Sequence, residues 1–152
     1  MGASLGALAS LHAEWLHPGT FGALFLQSGS FFRKRVDDEE DFEFWDRVTA
    51  FVTRVRRARR PHTGARIALT CGSGEGNLTN NRQMAQSLAA SGHDVSFTEL
   101  PGRHDWRSWG RRSTPTCSAC SPAPPPADRR QMPPFLQGSQ SMTRPPTVGA
   151  AR

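Results

Sequence analysis

The sequence has no tyrosine and only one lysine, Lys34, among its 19 basic residues. It has no run of 18 apolar residues, so no transmembrane helix is available. The opening Met-Gly-Ala-Ser-Leu-Gly lacks the basic start and apolar stretch of a signal peptide. It also lacks the Ser or Thr at position 6 of the myristoylation pattern. Three cysteines, an odd number, make no disulfide framework. Cys117 and Cys120 form a single Cys-x-x-Cys pair, and one pair is too few for a structural zinc site. Hydrophobic residues reach only 36%, below the globular average. These deficits predict a soluble cytoplasmic protein with room for one core in its 152 residues.

The net charge of +6 invites a nucleic-acid reading, but its distribution opposes one. Residues 1–110 hold 13 Lys+Arg and 12 Asp+Glu, while residues 111–152 hold six Arg and one acid, Asp128. The basicity therefore lies mostly in the last segment, which also carries nine of the twelve prolines. With few large apolar residues, that segment cannot offset its ordering entropy. It reads as a disordered Pro/Arg/Ser-rich tail over 111–152, behind a domain over 1–110. A non-enzymatic interaction module, its basic tail binding acidic partners or nucleic acid, is the alternative reading. Phe135 is the tail's only aromatic residue, which leaves almost nothing to stack on bases.

Apolar spacing predicts a helix over Leu5–Leu16, stopped by His17-Pro18-Gly19. Ala23–Gln27 is a short continuous apolar run and reads as a buried strand. Acidic residues from Asp37 lead into a helix with Phe42, Trp45, Val48, Val52 and Val55 on one side, ended by Pro61. Ala65–Cys71 is a second strand, Asn80–Ala90 a helix closed by Gly92, and Asp94–Leu100 a third strand. Asp105 to Trp109 begins a last helix. Alternation of this kind predicts an α/β fold: a short parallel sheet of about three strands with flanking helices. Three such strands would leave both edges open, so the chain reads as the later half of a larger sheet.

Gly2-Ala3-Ser4-Leu5-Gly6 matches Gly-x-Ser-x-Gly. On a sharp strand-to-helix turn this motif exposes the serine hydroxyl, and the next N–H, that of Leu5, can stabilise an oxyanion. Ser4 acting only as a helix cap fits the same pentapeptide. His104, in the turn after the third strand, could serve as general base or be a plain surface histidine. Glu75, in the loop after the second strand, could orient that imidazole or be a solvated acid. The alternating Gly72, Gly74 and Gly76 could also cradle a phosphate, although the spacing matches no phosphate-loop pattern. Asp94 lies at the wrong end of its strand for the acid role, and Asp105 is placed to cap the last helix. His12, His17, His62 and His93 read as ordinary surface or helix-end residues.

Taken together, Ser4, Glu75 and His104 follow the order serine, acid, histidine, each after a strand's C-terminal end. That is the order of α/β-hydrolases. The chain resembles the C-terminal half of the Putative esterase family of α/β hydrolases, which includes enterochelin esterases, feruloyl esterases, S-formylglutathione hydrolases and mycolyltransferases. The matching stretches are Gly2–Gly6, His17–Gly22 leading into Gln27–Ser30, Cys71–Glu75 with Asn80-Asn81-Arg82, and Gly102–Trp106 with Trp109. The enterochelin-esterase-like branch fits best.

The resemblance implies a serine esterase acting on small-molecule carboxylic esters, including siderophore-type esters. Ser4 would be the nucleophile, Glu75 the acid, His104 the base and Leu5 the oxyanion donor, with no cofactor or metal. The chain departs from the family pattern at Ala7 and Arg103, where glycines are usual. It also begins at the motif itself, without the strand that should precede Ser4. With the composition break near Gly110, this predicts a truncated or frameshifted reading frame and a weakly active or inactive fragment.

Overall fold

The computed structural model describes residues 1–37 and 43–112, with side chains placed as far as residue 110. The chain divides into two units, Met1–Ser121 and Pro122–Arg152. The tail was expected from residue 111, but Arg111 and Arg112 belong to the last helix. The rest of that tail, the second unit, the Cys117–Cys120 pair and the start of the acidic segment's helix at Phe42 lie outside the described residues. The elements are β1 (Gly2–Ala3), α1 (Leu5–Leu16), β2 (Ala23–Gln27), α2 (Trp45–Arg56), β3 (Arg66–Gly72), α3 (Leu78–Ala90), β4 (Val95–Leu100) and α4 (Trp106–Arg112). None of these helices is long and apolar enough to cross a membrane.

The sheet is parallel throughout, in the order β1-β2-β3-β4. Three strands were expected and four are present among the described residues. The fourth, β1, has two residues, too few for a strand to show in any hydrophobic pattern. It is recognisable only by its pairing, Gly2 with Leu26 and Ala3 with Gln27. Neighbouring strands joined by like-handed crossovers place their helices together. Accordingly Trp15 of α1 meets Phe51 of α2 edge-on at 6.1 Å.

The core forms where these helices meet the sheet. Leu24 and Leu26 of β2 and Ile67 and Leu69 of β3 are almost wholly buried. Leu11 of α1, Val52 and Val55 of α2, and Met84 and Leu88 of α3 pack into the same cluster. Each helix offers apolar residues at i, i+3 and i+4, which is why their spacing was legible in the sequence.

Two buried polar groups hold the end of the molecule away from the C-terminal ends of the strands. Glu14, inside α1, accepts backbone N–H bonds from Gly19 at 2.8 Å and Phe21 at 2.9 Å, and a hydroxyl bond from Thr63. It thereby closes the turn in which Gly19 takes φ +87°. Burial pushes the Glu14 carboxyl up, but the three bonds outweigh it and hold the carboxyl below its usual range.

The second group corrects the reading of His93 as an ordinary surface or helix-end residue: it is buried. Its Nε2 accepts the His62 N–H at 3.1 Å, and its Nδ1 lies 2.9 Å from Ser91 Oγ and 3.2 Å from Leu88 O. His62 is exposed, as expected, yet it stacks on Trp15 at 4.3 Å and bonds to its carbonyl at 2.8 Å. His12 lies edge-on to Phe51 at 4.7 Å. A histidine's hydropathy says nothing about such partners, so the sequence could not distinguish these positions.

Burial lowers the His93 pKa, the Leu88 carbonyl opposes the shift, and His62 adds to it. The sign follows from linkage: a depressed folded-state pKa means that the unfolded chain takes the proton first. Stability should be complete above the ordinary histidine value of about 6.5 and should decline as pH falls below it. Glu14 should add its own loss at more acidic pH, below the ordinary carboxylate range. Urea unfolding between pH 8 and 5 should show the first decline in the native chain and a flatter profile in His93→Gln.

Candidate active site

All four strands run the same way, so the residues that follow them emerge along one rim of the sheet. Ser4 follows β1, Ser28 follows β2, Glu75 lies just past β3, and His104 lies just past β4.

Ser4 has φ 54° and ψ −123°, a backbone conformation that is sparsely populated for a residue with a side chain. The neighbouring glycine explains how the turn can close so tightly. A Cβ on Gly2 would lie 2.2 Å from the Gly6 carbonyl oxygen, so only glycine fits there. By contrast, nothing lies within 4 Å of a Cβ on Gly6. Ala7, one of the two departures from the family pattern, is fully buried in the core, where its methyl packs. The turn is tied to β2 by the Ser4 N–H on the Gln27 carbonyl at 2.9 Å. Its carbonyl accepts the N–H groups of Ala7 and Leu8, which starts α1.

The Ser4 side chain makes no capping hydrogen bond. Its Oγ lies 3.0 Å from His104 Nε2 and 3.3 Å from Ser30 Oγ. His104 Nδ1 lies 2.7 Å from Glu75 Oε2. A neutral imidazole with its proton on Nδ1 donates to the carboxylate and presents the Nε2 lone pair to the serine hydroxyl. Leu5 is the first residue of α1, so its N–H belongs to the donors that a helix start leaves without intrahelical partners. The structure thus brings Ser4, Glu75 and His104 into one hydrogen-bonded line, with Leu5 beside the serine.

Glu75 is no solvated loop acid, because its side chain is fully buried. Its Oε1 accepts the Ser28 hydroxyl at 2.7 Å and the Gly72 N–H at 2.7 Å, while Oε2 faces His104. These three donors compensate the carboxylate's lost hydration. The same bonds exclude the phosphate-cradle reading of this loop. Gly72 N–H points at Glu75, Ser73 N–H at Leu100 O, Gly74 N–H at Gly102 O, and Glu75 N–H at Gly72 O. Those N–H groups are already committed.

The competing acids lie elsewhere. Asp94 is at the opposite end of β4, where its carbonyl accepts the Ile67 N–H. Asp105 accepts the Ser108 N–H at 2.7 Å at the start of α4, and that bond holds its carboxyl below the usual range. Arg103, the other family departure, is exposed, and its N–H reaches Ser108 Oγ at 3.2 Å.

Several residues hold this line in place without having been assigned a role from the sequence. Ser28, at φ 49°, donates to Glu75 and accepts the Trp109 indole N–H at 3.0 Å. The Trp109 ring meets His104 edge-on at 4.8 Å, and its carbonyl accepts the Gln27 amide at 3.2 Å. Asn77 and Asn81 bond the backbone of Ser28 and Gly29. Ser28, Asn81 and Trp109 stand in the stretches that carry the family resemblance, but their partners lie up to 82 positions away. Only the fold could reveal those contacts.

The chain is similar to several known proteins. Residues 1–114 match the family described as Putative esterase. Over 111 residues the chain is 33% identical to the iron(III) enterobactin esterase of Dickeya dadantii (strain 3937), an alignment covering 71% of this chain and 26% of that protein. A ferulic acid esterase structure superposes with TM-score 0.59 at 19% identity, over 73% of this chain and 46% of the other. The S-formylglutathione hydrolase of Staphylococcus aureus superposes with TM-score 0.53 at 16% identity, over 73% of this chain and 45% of the other. The chain therefore spans about a quarter of its curated relative and under half of each solved structure, and it has their α/β-hydrolase fold.

Proposed function

Because the chain belongs to the Putative esterase family, we propose that it carries the acyl-transfer centre of a serine esterase acting on carboxylic esters. The observation that carries this reading is the continuous line from Ser4 Oγ through His104 to the buried Glu75. Similarity to an iron(III) enterobactin esterase supports siderophore-type esters as the substrate class.

In the proposed reaction the Ser4 oxygen attacks the ester carbonyl carbon, and its proton passes to His104 Nε2. The carbonyl oxygen becomes an oxyanion beside the Leu5 N–H. Glu75 stabilises the imidazolium through Nδ1 without taking its proton. Collapse of the tetrahedral adduct breaks the bond to the alcohol oxygen, which receives the proton from His104. Water then repeats the sequence on the acyl-serine, releasing the carboxylic acid and restoring Ser4.

A fluorophosphonate probe tests the nucleophile in a single turnover. Mass spectrometry should find one adduct per chain, on the peptide containing Ser4, and none in Ser4→Ala. Labelling at another residue, or equal labelling of both forms, would overturn the assignment. Hydrolysis of p-nitrophenyl acetate should follow the same pattern.

A further inference from the structure

The loop after β2 and the facing sides of α2 and α3 line a concavity of about 530 Å³. Five basic side chains line it: Arg33, Lys34, Arg35, Arg56 and Arg57. Ser4, Glu75 and His104 are not among the lining residues.

Of these five cations, Arg33 and Lys34 have an acidic partner among the described residues, and the acids Asp38, Glu39, Glu40 and Asp41 lie outside them. Lys34 pairs with Asp46 at 2.7 Å. Arg33 pairs with Asp37, but the Nε to Oδ2 separation of 3.6 Å is too long for a hydrogen bond, and this buried Nε has no hydrogen-bond partner among the described residues. Arg33 Nη1 and Arg56 Nη2 donate to the same neutral acceptor, Gln83 Oε1, at 2.9 and 3.0 Å. Two like charges thus converge on one amide oxygen. Burial lowers the Arg56 pKa and the charge of Arg33 lowers it further, with Asp37 a partial counterweight.

We propose that this concavity is an oxyanion-binding site, in which the guanidinium groups of Arg33 and Arg56 hold a phosphate-sized dianion, either the free ion or a phosphate monoester. The planar fork of each arginine suits two oxygens of one tetrahedral anion. An anion between them would relieve the like-charge contact and give the Arg33 Nε an acceptor. Arg35 and Arg57 on the same wall would add longer-range attraction.

The test is calorimetric titration at constant ionic strength, with chloride as the balancing anion. Inorganic phosphate and glycerol 3-phosphate are the probes, and they separate a free ion from a monoester as the ligand. The native chain should bind at least one probe saturably, one per chain, and more weakly as salt rises. Arg33→Gln and Arg56→Gln should each weaken binding by roughly tenfold or more. Arg56→Lys, which keeps the charge but loses the fork, should fall between. Arg54→Gln, an equal charge change at an exposed position of α2, should bind as the native chain does. Far-UV circular dichroism and Ser4 labelling should be unchanged in all four variants. Absence of saturable binding to the native chain would overturn the proposal. So would equal weakening by Arg54→Gln and Arg56→Gln, since that would reduce the effect to overall charge. The Arg56 series decides the question even where Arg33→Gln fails to fold.

Discussion

Replacing His104 by alanine should abolish phosphonylation of Ser4 and lower ester hydrolysis to the uncatalysed background, a loss of up to about 10⁶-fold in turnover when one member of a serine–histidine pair is removed. The geometry gives the reason. His104 Nε2 is the nitrogen placed 3.0 Å from the Ser4 hydroxyl to take its proton. Without it the attacking group is a neutral alcohol, and no group is placed to protonate the departing alkoxide. Because serine and histidine act as one unit, Ser4→Ala should cost about as much, and the double variant should be no worse than either. Additive losses would mean that the two side chains act independently, which contradicts the proposed mechanism. Stability should fall modestly, because the buried Glu75 keeps only two of its three donors.

Glu75→Gln should lower turnover by about 10⁴-fold, with KM nearly unchanged. Two local contacts make this substitution severe. Oε1 accepts from both Ser28 and Gly72, so the amide oxygen will occupy that position and the NH₂ group will face His104. A donor opposite Nδ1 forces the imidazole proton onto Nε2, and Nε2 can then no longer accept the serine proton. The tautomer is wrong while the heavy-atom geometry is kept. Steady-state kinetics on p-nitrophenyl acetate, with far-UV circular dichroism as the fold control, measures the effect. A loss of less than about tenfold would remove Glu75 from the mechanism and leave it a structural role.

Much of the architecture was legible because it depends on short-range pattern. α1 and β2 occupy the residues that apolar spacing assigned to them. The boundaries of β3, α3 and β4 shifted by one or two residues, within the latitude of helix and strand ends. The strand β1 was missed because two residues carry no periodicity. The burial of His93 and Glu14 was missed because a polar residue's burial depends on partners from other elements. Glu14 is satisfied by Thr63, 49 positions away, and His93 by His62, 31 positions away.

From the sequence alone came the alternation of helices and strands, the tight Gly2–Gly6 turn, and the order serine, glutamate, histidine. These follow from hydrophobic period, from glycine's small size, and from where each residue stands after its strand. Tertiary structure alone decided that the three side chains meet, that Glu75 is buried under three donors, and that Ser28 and Trp109 brace it. It alone decided, too, that Arg33 and Arg56 face each other across Gln83. The physical reason is that a hydrogen bond is specific only at about 3 Å, and separations that small between residues 29 to 100 positions apart exist only once the parallel sheet has set its register.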